Sequence, residues 1–378
     1  MFLIKGVRVF APSDLGVVDV LVEGQRILHV GEVDHHAIER VPGAQIISGD
    51  GLTLCPGFLD PHVHLIGGGG EGGFENRTPG IAVKESALFG VTTVVGLLGT
   101  DGVSRTTIDL LAKARGLEAQ GLTTYIFTGN YRVPTRTVGE TVVDDMVVID
   151  KVIGVGEVAI ADNRSSCPTT QELARLVSDA HVGGLLTGKA GVVHFHVGKE
   201  AAKLSQLHEL IDDFDVPARA LYATHISRND DLLRDAAALS NKGAFVDITA
   251  DENTHADIAK FVEMGGNLAQ LTVSSDSNGS LPTFDEAGNL TGIDVAHQNH
   301  LYNQVWRAGD AIGLENALRL VTENTSRALA LPHKGRVEKG ADADLLLVDD
   351  NRDLVHEWAR GKQLVRDRKS VVKGGFDE

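Results

Sequence analysis

The sequence predicts an α/β fold, a (β/α)₈ TIM barrel accompanied by a small β-sandwich that both chain ends form together. Two observations lead to this prediction. Between about residues 57 and 330, short runs rich in β-branched residues alternate with longer amphipathic segments, as in a parallel sheet with crossover helices. Eight such repeats occupy about 270 residues, and both the number and the length match a (β/α)₈ barrel.

Eight segments are the candidate barrel strands, because each is short, apolar and bounded by turn residues. They are Gly57–His62, Val91–Val95, Thr123–Phe127, Ile153–Ile160, Val192–Val197, Leu221–His225, Ala244–Ile248 and Leu271–Ser275. Helices are predicted between them, for example over Thr169–Leu186, which opens with the spacing of a capping box, and over Asp230–Asn241.

The chain ends predict a separate unit. Val18–Val22 and Arg26–Val30 are strand-like, and so are Ala343–Asp349 and Gln363–Arg366 near the other end. Because each end alone has too few strands for a stable core, we expect one sandwich built from both. The predicted division assigns residues 1–55 and 333–378 to the sandwich and residues 56–332 to the barrel.

Composition restricts the classes of function. The chain of 378 residues is 42% hydrophobic and has no apolar run long enough for a membrane span, which predicts a soluble globular protein. No signal-peptide pattern begins the sequence, so the expected compartment is the cytoplasm. The two cysteines agree with a reducing compartment, and the net charge of −17 argues against a nucleic-acid partner.

The first chemical motif is the pair His62 and His64 at the end of the first strand. Residues two apart in a strand face the same side, so both imidazoles point at one place. Such a pair is also typical of solvated histidines at a strand end. Here the glycine run Gly67–Gly70 follows directly and lets a small ligand approach closely, which favours a metal site.

Four more residues of metal-binding type follow in or just after later strands: Glu157, His196, His225 and Asp276. In a (β/α)₈ barrel the carboxyl ends of the strands surround the active site, so these side chains are expected to meet the histidine pair. Nitrogen and oxygen ligands suit two divalent metal ions, with Zn²⁺ favoured.

Five ordered motifs resemble the isoaspartyl dipeptidases, a family of the amidohydrolase superfamily. They are His62–Glu71, Thr128–Tyr131, Ala161–Ser165, Thr224–Asn229 and Ser274–Ser280. Any one of them is a weak signal, whereas the ordered set runs over nearly the whole chain. The resemblance implies a metal-dependent dipeptidase that cleaves the isopeptide bond of β-aspartyl dipeptides to aspartate and a free amino acid.

The resemblance also implies roles for the candidate ligands. His62 and His64 would hold one metal, and His196 and His225 the other. Asp276 would complete the first site and serve as general base for a hydroxide that bridges the two metals. Chemistry supports these roles, because divalent cations lower the pKa of bound water and a nearby carboxylate can carry its proton.

Two positions leave alternatives open. Many superfamily members bridge the metals with a carboxylated lysine on the fourth strand, where this chain has Glu157, whose arm is shorter. An extra residue near Gly156 would let the strand bulge inward and bring Glu157 to both metals. In the alternative, Glu157 lies outside a site that holds one metal.

The alternation of side chains along a strand does not decide whether His194 or His196 is the metal ligand, because both face the same side. The family pattern selects His196 and leaves His194 as a buried neighbour.

The resemblance assigns the substrate pocket as well. Glu71 would bind the free amine, Arg228 with Thr100 the aspartyl carboxylate, and Arg164 with Ser280 the carboxylate of the leaving residue. Arginine suits both places because its planar fork binds a carboxylate at two points. For Arg228 an ion pair with a following aspartate is the alternative, and Thr100 is also placed to cap the next segment.

Tyr131 is expected to donate a hydrogen bond to the carbonyl oxygen of the substrate as that atom becomes an oxyanion.

The competing function is that of another amide hydrolase of the superfamily, acting on cyclic amides or N-acyl amino acids. Two separate arginines favour the dipeptide, because a neutral ring requires no such pair. A non-catalytic scaffold would have no need of convergent histidines. By analogy with the family, a homo-oligomer is expected.

Overall fold

A computed structural model describes residues 1–285 and 290–372 of the chain. Its strands are β1 (Phe2–Phe10), β2 (Asp14–Glu23), β3 (Arg26–Gly31), β4 (Gln45–Ser48), β5 (Thr53–Pro56), β6 (Phe58–Val63), β7 (Val91–Gly96), β8 (Thr123–Thr128), β9 (Val152–Ile160), β10 (Val192–Val197), β11 (Leu221–Thr224), β12 (Phe245–Thr249), β13 (Leu271–Ser274), β14 (Ser280–Phe284), β15 (Leu290–Val295), β16 (Leu345–Val348), β17 (Leu354–Ala359), β18 (Lys362–Arg366) and β19 (Lys369–Ser370).

The helices lie mostly between the barrel strands. They are α1 (His35–Glu39), α2 (Val83–Leu88), α3 (Thr107–Gln120), α4 (Val142–Val148), α5 (Thr170–Thr187), α6 (Ser205–Asp212), α7 (Asp230–Asn241), α8 (Thr254–Glu263), α9 (Gln298–Ile312), α10 (Leu314–Val321) and α11 (Glu323–Ala328). Short 3₁₀ turns occupy Phe74–Asn76, Ala218–Ala220 and Leu268–Gln270. Among the described residues, no helix is both long enough and apolar enough to cross a membrane.

Strands β6 to β13 form an eight-stranded parallel sheet in chain order, which confirms all eight predicted barrel strands. The sheet closes where the amide of His64 donates to the carbonyl of Ser277 at 2.9 Å. Most of these strands are buried along their whole length, because the barrel interior covers one face and the helices cover the other. The predicted (β/α)₈ barrel is therefore present.

The barrel helices begin where their capping residues stand. Thr169 accepts a hydrogen bond from the backbone of Glu172, whose side chain reaches back to the cap, so α5 begins as a capping box. Gly188 ends α5 in the left-handed conformation, with φ of 68°. The predicted helix Asp230–Asn241 is observed with the same bounds.

Both chain ends contribute to one sheet in the order β19-β18-β17-β16-β5-β1-β2-β3, with β4 paired to β1. The ends meet where β5 pairs antiparallel with β16, placing Cys55 opposite Leu346. The sheet has its own apolar core, in which the rings of Phe2 and Trp358 stack at 5.2 Å. Residues 373–378, the end of the predicted range 333–378, lie outside the described residues.

Strands β14 and β15 form an antiparallel hairpin that the sequence analysis did not predict. It follows Asp276 and stands at the end of the barrel where the carboxyl ends of the strands lie. Ser280, Leu281 and Val295 from this hairpin line the large cavity at that end. The hairpin therefore adds a wall to the site that the strand ends form.

Candidate metal centre and substrate cavity

The six predicted metal ligands converge at the carboxyl ends of the barrel strands, and all are buried. They lie in or directly after β6, β9, β10, β11 and β13 and are His62, His64, Glu157, His196, His225 and Asp276. Three subsets have ligand atoms within 4.8 Å of one another: His62, His64 and Glu157; His62, His225 and Asp276; and Glu157, His196 and His225.

The carboxylate of Glu157 lies between two pairs of histidines. Its Oε1 is 3.6 Å from Nε2 of His62 and 3.5 Å from Nε2 of His64. Its Oε2 is 3.0 Å from Nδ1 of His196 and 3.6 Å from Nε2 of His225. Each oxygen thus faces one pair, which is the arrangement that a ligand shared by two metals requires.

A β-bulge brings Glu157 to this position. In the pairing of β9 with β10, Gly156 lies opposite His194 and Val158 opposite Phe195, so Glu157 is the additional residue. The extra residue predicted near Gly156 is confirmed. Because a bulge re-aims the side chain it carries, it compensates for the shorter arm of glutamate.

Asp276 completes the side of the centre nearest the first strand. Its Oδ1 lies 3.2 Å from Nε2 of His62 and 3.1 Å from Nε2 of His64. The backbone of Asp276 has φ of 52° and that of His225 has φ of 63°, a left-handed conformation that costs free energy in residues other than glycine. Strain of this kind is concentrated at functional sites.

Three buried atoms of the centre make no hydrogen bond within residues 1–285 and 290–372: Nε2 of His62, Nδ1 of His64 and Oδ1 of Asp276. Nε2 of His62 and Oδ1 of Asp276 are 3.2 Å apart but lack the angles of a hydrogen bond. An unsatisfied buried polar atom costs about 1 to 3 kcal/mol, so such atoms are rare in folded proteins. Metal coordination would satisfy Nε2 of His62 and Oδ1 of Asp276, and the nitrogen and oxygen donors fit divalent transition metals.

The protonation states agree with metal binding. Burial raises the pKa of Glu157, but the charge of His62 and hydrogen bonds from His196 and His225 outweigh it and hold that pKa well below its usual value. Burial and the neighbouring His196 lower the pKa of His225 to about 3. Burial also lowers the pKa of His62, but the carboxylates of Glu157 and Asp276 raise it by more. A bound cation would take the place of that proton.

His194 is the buried neighbour that the sequence analysis expected. Its Nε2 lies 2.9 Å from Nδ1 of His62, and its ring stacks on Phe127 with centroids 5.3 Å apart. A neutral His62 whose Nε2 is free for a metal carries its proton on Nδ1 and donates it to His194. Such partners fix the orientation of a ligating imidazole.

Above the metal centre lies a cavity of about 730 Å³, and four of the residues predicted to bind substrate line it: Thr100, Arg164, Arg228 and Ser280. The fifth, Glu71, lies beside the cavity and contacts Arg164. The carboxylate of Glu71 is 3.3 Å from Nη1 of Arg164, and the hydroxyls of Thr100 and Ser280 donate to it at 3.1 Å and 3.2 Å. Arg164, Thr100 and Ser280 thus all contact the carboxylate of Glu71.

Arg228 lies beside the same cavity. Its Nε donates to the carbonyl of Val197 at 2.8 Å, and its Nη2 is 3.4 Å from Nε2 of His196. The alternative ion pair with Asp230 or Asp231 is not formed in the part of the chain that the structure describes. The guanidinium is therefore directed toward the cavity wall rather than toward the helix start.

Tyr131 extends from the loop after β8 toward the second half of the metal centre. Its hydroxyl oxygen lies 2.8 Å from Nδ1 of His196. Burial and the nearby charge of Glu157 raise the pKa of Tyr131 well above its usual value, so its hydroxyl keeps the proton and can donate it in a hydrogen bond.

Two residues of the site were missed by the sequence analysis. Asp162 lies 3.0 Å from Nε2 of His196 and binds Arg164 through both of its oxygens. Arg105 is buried and donates to the carbonyls of Gly68 and Gly69, holding the glycine loop that carries Glu71. Asp162 stands inside the motif Ala161–Ser165, which is the one signal that pointed toward it.

The fold and the metal centre define a class of protein, and comparison with known sequences agrees. Residues 53–375 match the model of the amidohydrolase family. The chain therefore belongs to the amidohydrolase family. A dihydroorotase of Bacillus pumilus is 22% identical over 89% of this chain and 85% of the relative. An imidazolonepropionase of Anaeromyxobacter dehalogenans is 36% identical, but the match covers 32% of this chain and 30% of that enzyme.

Solved structures narrow the class. A β-aspartyl dipeptidase of the thermophilic, keratin-degrading Fervidobacterium islandicum AW-1, in complex with the β-Asp-Leu dipeptide, is 41% identical with a TM-score of 0.92. The match covers 98% of both chains, and a second structure of that enzyme matches at 39% identity and a TM-score of 0.90. Within its family, this chain falls among the β-aspartyl dipeptidases.

Proposed function

We propose that this protein is a metal-dependent dipeptidase that hydrolyses the isopeptide bond of β-aspartyl dipeptides, releasing aspartate and a free amino acid. The observation that carries the proposal is the position of Arg164 in the cavity above the metal centre, with the Glu71 carboxylate paired to it. A β-aspartyl dipeptide carries one ammonium and two carboxylates around the bond to be cut. The two arginines that line this cavity and the acid paired with Arg164 complement these three charges.

Each charge of the substrate has a proposed partner. Glu71 binds the free amine, and Arg228 with Thr100 binds the adjacent carboxylate. Arg164 with Ser280 binds the carboxylate of the leaving residue. Ser280 belongs to the hairpin of β14 and β15, so the hairpin forms the side of the pocket that receives the leaving residue.

The two metals would be held by His62, His64 and Asp276 on one side and by His196 and His225 on the other, with Glu157 shared. Zinc is the metal we propose, since hydrolysis and a donor set of imidazole and carboxylate favour it. Metal ions bound here would lower the pKa of a water molecule and thereby supply the nucleophile.

The chain's own groups perform the remaining work. The Asp276 carboxylate accepts a proton from the attacking water and returns it to the leaving amine, since its low pKa keeps it ionised in the free enzyme. The Tyr131 hydroxyl donates a hydrogen bond to the carbonyl oxygen as negative charge develops there. The arginines hold the substrate so that the isopeptide carbon faces the metal centre.

The test is hydrolysis of β-Asp-Leu beside its α-linked isomer by the purified protein, with bound metal counted on the same sample. We expect selective cleavage of the β-isomer and about two metals per chain. Dihydroorotate and N-acetylaspartate serve as control substrates. If the protein cleaves either of these and does not act on β-Asp-Leu, the proposed substrate is wrong, but the assignment to the metal-dependent hydrolases stands.

Assembly into a homo-oligomer remains a prediction, which sedimentation velocity tests.

A further inference from the structure

We propose that Asp162 is a positioning residue that couples the metal centre to substrate binding by holding His196 and Arg164 at the same time. The coupling to substrate rests on the role proposed above for Arg164. The contact with His196 stands on geometry alone. The consequence is that zinc affinity and affinity for the dipeptide depend on one another through a single carboxylate.

Asp162 lies two residues after β9, and its side chain is only 9% exposed. Its Oδ1 accepts hydrogen bonds from the backbone amide of Arg164 at 2.8 Å and from Nε of the same residue at 2.9 Å. Its Oδ2 accepts from Nη2 of Arg164 at 2.9 Å and lies 3.0 Å from Nε2 of His196. Both oxygens are therefore engaged, and Oδ2 is shared between the two residues.

The ring of His196 stands between two carboxylates. Nδ1 is 3.0 Å from Glu157, on the side of the metal centre, and Nε2 is 3.0 Å from Asp162. If Nδ1 binds a metal, Nε2 carries the proton and donates it to Asp162. A carboxylate in this place selects the tautomer, fixes the ring and makes the ligating nitrogen more basic.

The hydrogen bonds from Arg164 to Asp162 use Nε and Nη2 of the guanidinium but not Nη1. Nε and Nη2 face Asp162, whereas Nη1 points away toward Glu71 at 3.3 Å. The guanidinium also lies over the ring of Tyr131, 5.4 Å from its centroid. Held on two sides, Arg164 presents Nη1 to the cavity in one orientation, so little side-chain entropy is lost when a carboxylate binds.

Through its contacts with His196 and Arg164, the Asp162 carboxylate connects the metal centre to the substrate cavity. A metal on His196 holds its ring against Asp162, and an anion on Arg164 holds the guanidinium against the same side chain. When binding of the metal fixes the Asp162 side chain, that side chain is also fixed for binding of the substrate carboxylate, and the reverse holds. Thermodynamic linkage requires that such an effect act equally in both directions.

The variant Asp162→Asn tests this arrangement, because asparagine keeps the shape and one acceptor oxygen but loses the charge and the second acceptor. Zinc affinity is measured by competition with a chromogenic chelator, independently of turnover. We expect it to fall about 10- to 100-fold, the usual cost of removing a partner of a ligating histidine. At saturating zinc, KM for β-Asp-Leu should rise about 10-fold as Arg164 loses its bidentate partner.

Two further variants complete the test. Asp162→Glu keeps the charge on a longer arm, so its zinc affinity and its KM should lie between those of the wild type and of Asp162→Asn. This variant also keeps the test decisive if Asp162→Asn folds poorly. Asp294→Asn removes an exposed negative charge at the rim of the same cavity and controls for the general electrostatic effect of losing one such charge. Its zinc affinity should match that of the wild type.

Zinc affinity unchanged in Asp162→Asn, or lowered equally in Asp294→Asn, would overturn the proposal. A higher KM with unchanged zinc affinity would overturn the coupling as well, because it would leave Asp162 acting on Arg164 alone. If the wild type does not cleave β-Asp-Leu, the proposed function fails, while the zinc measurement still decides the contact with His196.

Discussion

Glu71 and Arg164 form an ion pair at the wall of the substrate cavity, with 3.3 Å between Oε1 and Nη1 and only 11% and 19% of their side chains exposed. These residues are proposed to bind the opposite charges of the dipeptide. Without a ligand, each therefore neutralises the other. A substrate that carries both an ammonium and a carboxylate replaces the pair charge for charge, whereas a ligand with one charge leaves a desolvated group unpaired.

Glu71→Gln should lower kcat/KM for β-Asp-Leu by about 100-fold, because a charged hydrogen bond to the substrate amine is worth about 3 kcal/mol. The loss should be absent for the N-acetylated dipeptide, which carries no ammonium. Steady-state kinetics with both substrates measure this. An equal loss with both substrates would contradict the role of Glu71 in amine binding.

Asp276→Asn should lower kcat by about 10²- to 10⁴-fold, because an amide does not accept the proton of the attacking water. Part of the metal should remain bound, since the amide oxygen is still a donor. Metal analysis beside steady-state kinetics separates the two effects. His62→Ala, by contrast, should lose metal. Near-normal turnover in Asp276→Asn would show that another group is the base.

Glu157→Gln should reduce the metal content from about two per chain to about one, because a neutral amide is a poor bridge between two cations. Chelation of the wild type should lower its Tm, since a ligand that binds only the folded state stabilises it. Metal analysis and thermal unfolding check both. Glu263→Gln, an exposed position, is the control. Two metals retained in Glu157→Gln would contradict the bridging role.

Glu357 makes stability depend on pH. It is fully buried in β17, both carboxyl oxygens lack hydrogen-bond partners among the described residues, and burial together with the charge of Asp344 raises its pKa well above the usual value. The folded state thus binds the proton more tightly than the unfolded state. Stability from this group is present below the unfolded pKa of about 4.3 and is lost as pH rises through the folded pKa.

Glu357→Gln should therefore be more stable than the wild type at neutral pH. The difference should grow by up to about 1.4 kcal/mol per pH unit between the unfolded and folded pKa values. Urea unfolding at several pH values measures it. Glu32→Gln, at an exposed position, should show no such slope. A constant difference across pH would mean that Glu357 does not titrate in this range.

The barrel could be predicted because its signals are local. The strands are buried on both faces and therefore form runs dominated by β-branched and other apolar residues, as in Val91–Gly96, and helix starts such as Thr169 carry their own capping residues. Strand β17 was missed because Leu354–Ala359 contains His356 and Glu357, which interrupt the apolar pattern. The hairpin of β14 and β15 was missed because none of its residues with a described burial is buried, so it has no continuous apolar run.

The convergence of the six candidate ligands could be predicted from residue type and position, whereas several contacts could not. His194 and His196 are two residues apart and so lie on the same face of β10, and no sequence pattern shows which of the two rings approaches Glu157. Arg105 lies in a turn before α3, far along the chain from the carbonyls of Gly68 and Gly69 that it binds. Long-range contacts of this kind follow from barrel closure and leave no local pattern.

The sequence by itself determined the eight strands, the helices between them and the chemical types gathered at the strand ends, because periodicity, capping and ligand chemistry act over a few residues. The tertiary structure decided which of those groups touch. It brought Glu157 between two histidine pairs through a bulge and paired Glu71 with Arg164 beside the cavity. It also gave Asp162 two partners, Arg164 in the turn after β9 and His196 in β10. Such distances depend on how the whole sheet closes, since a shift of one residue in register would reverse the direction of every side chain.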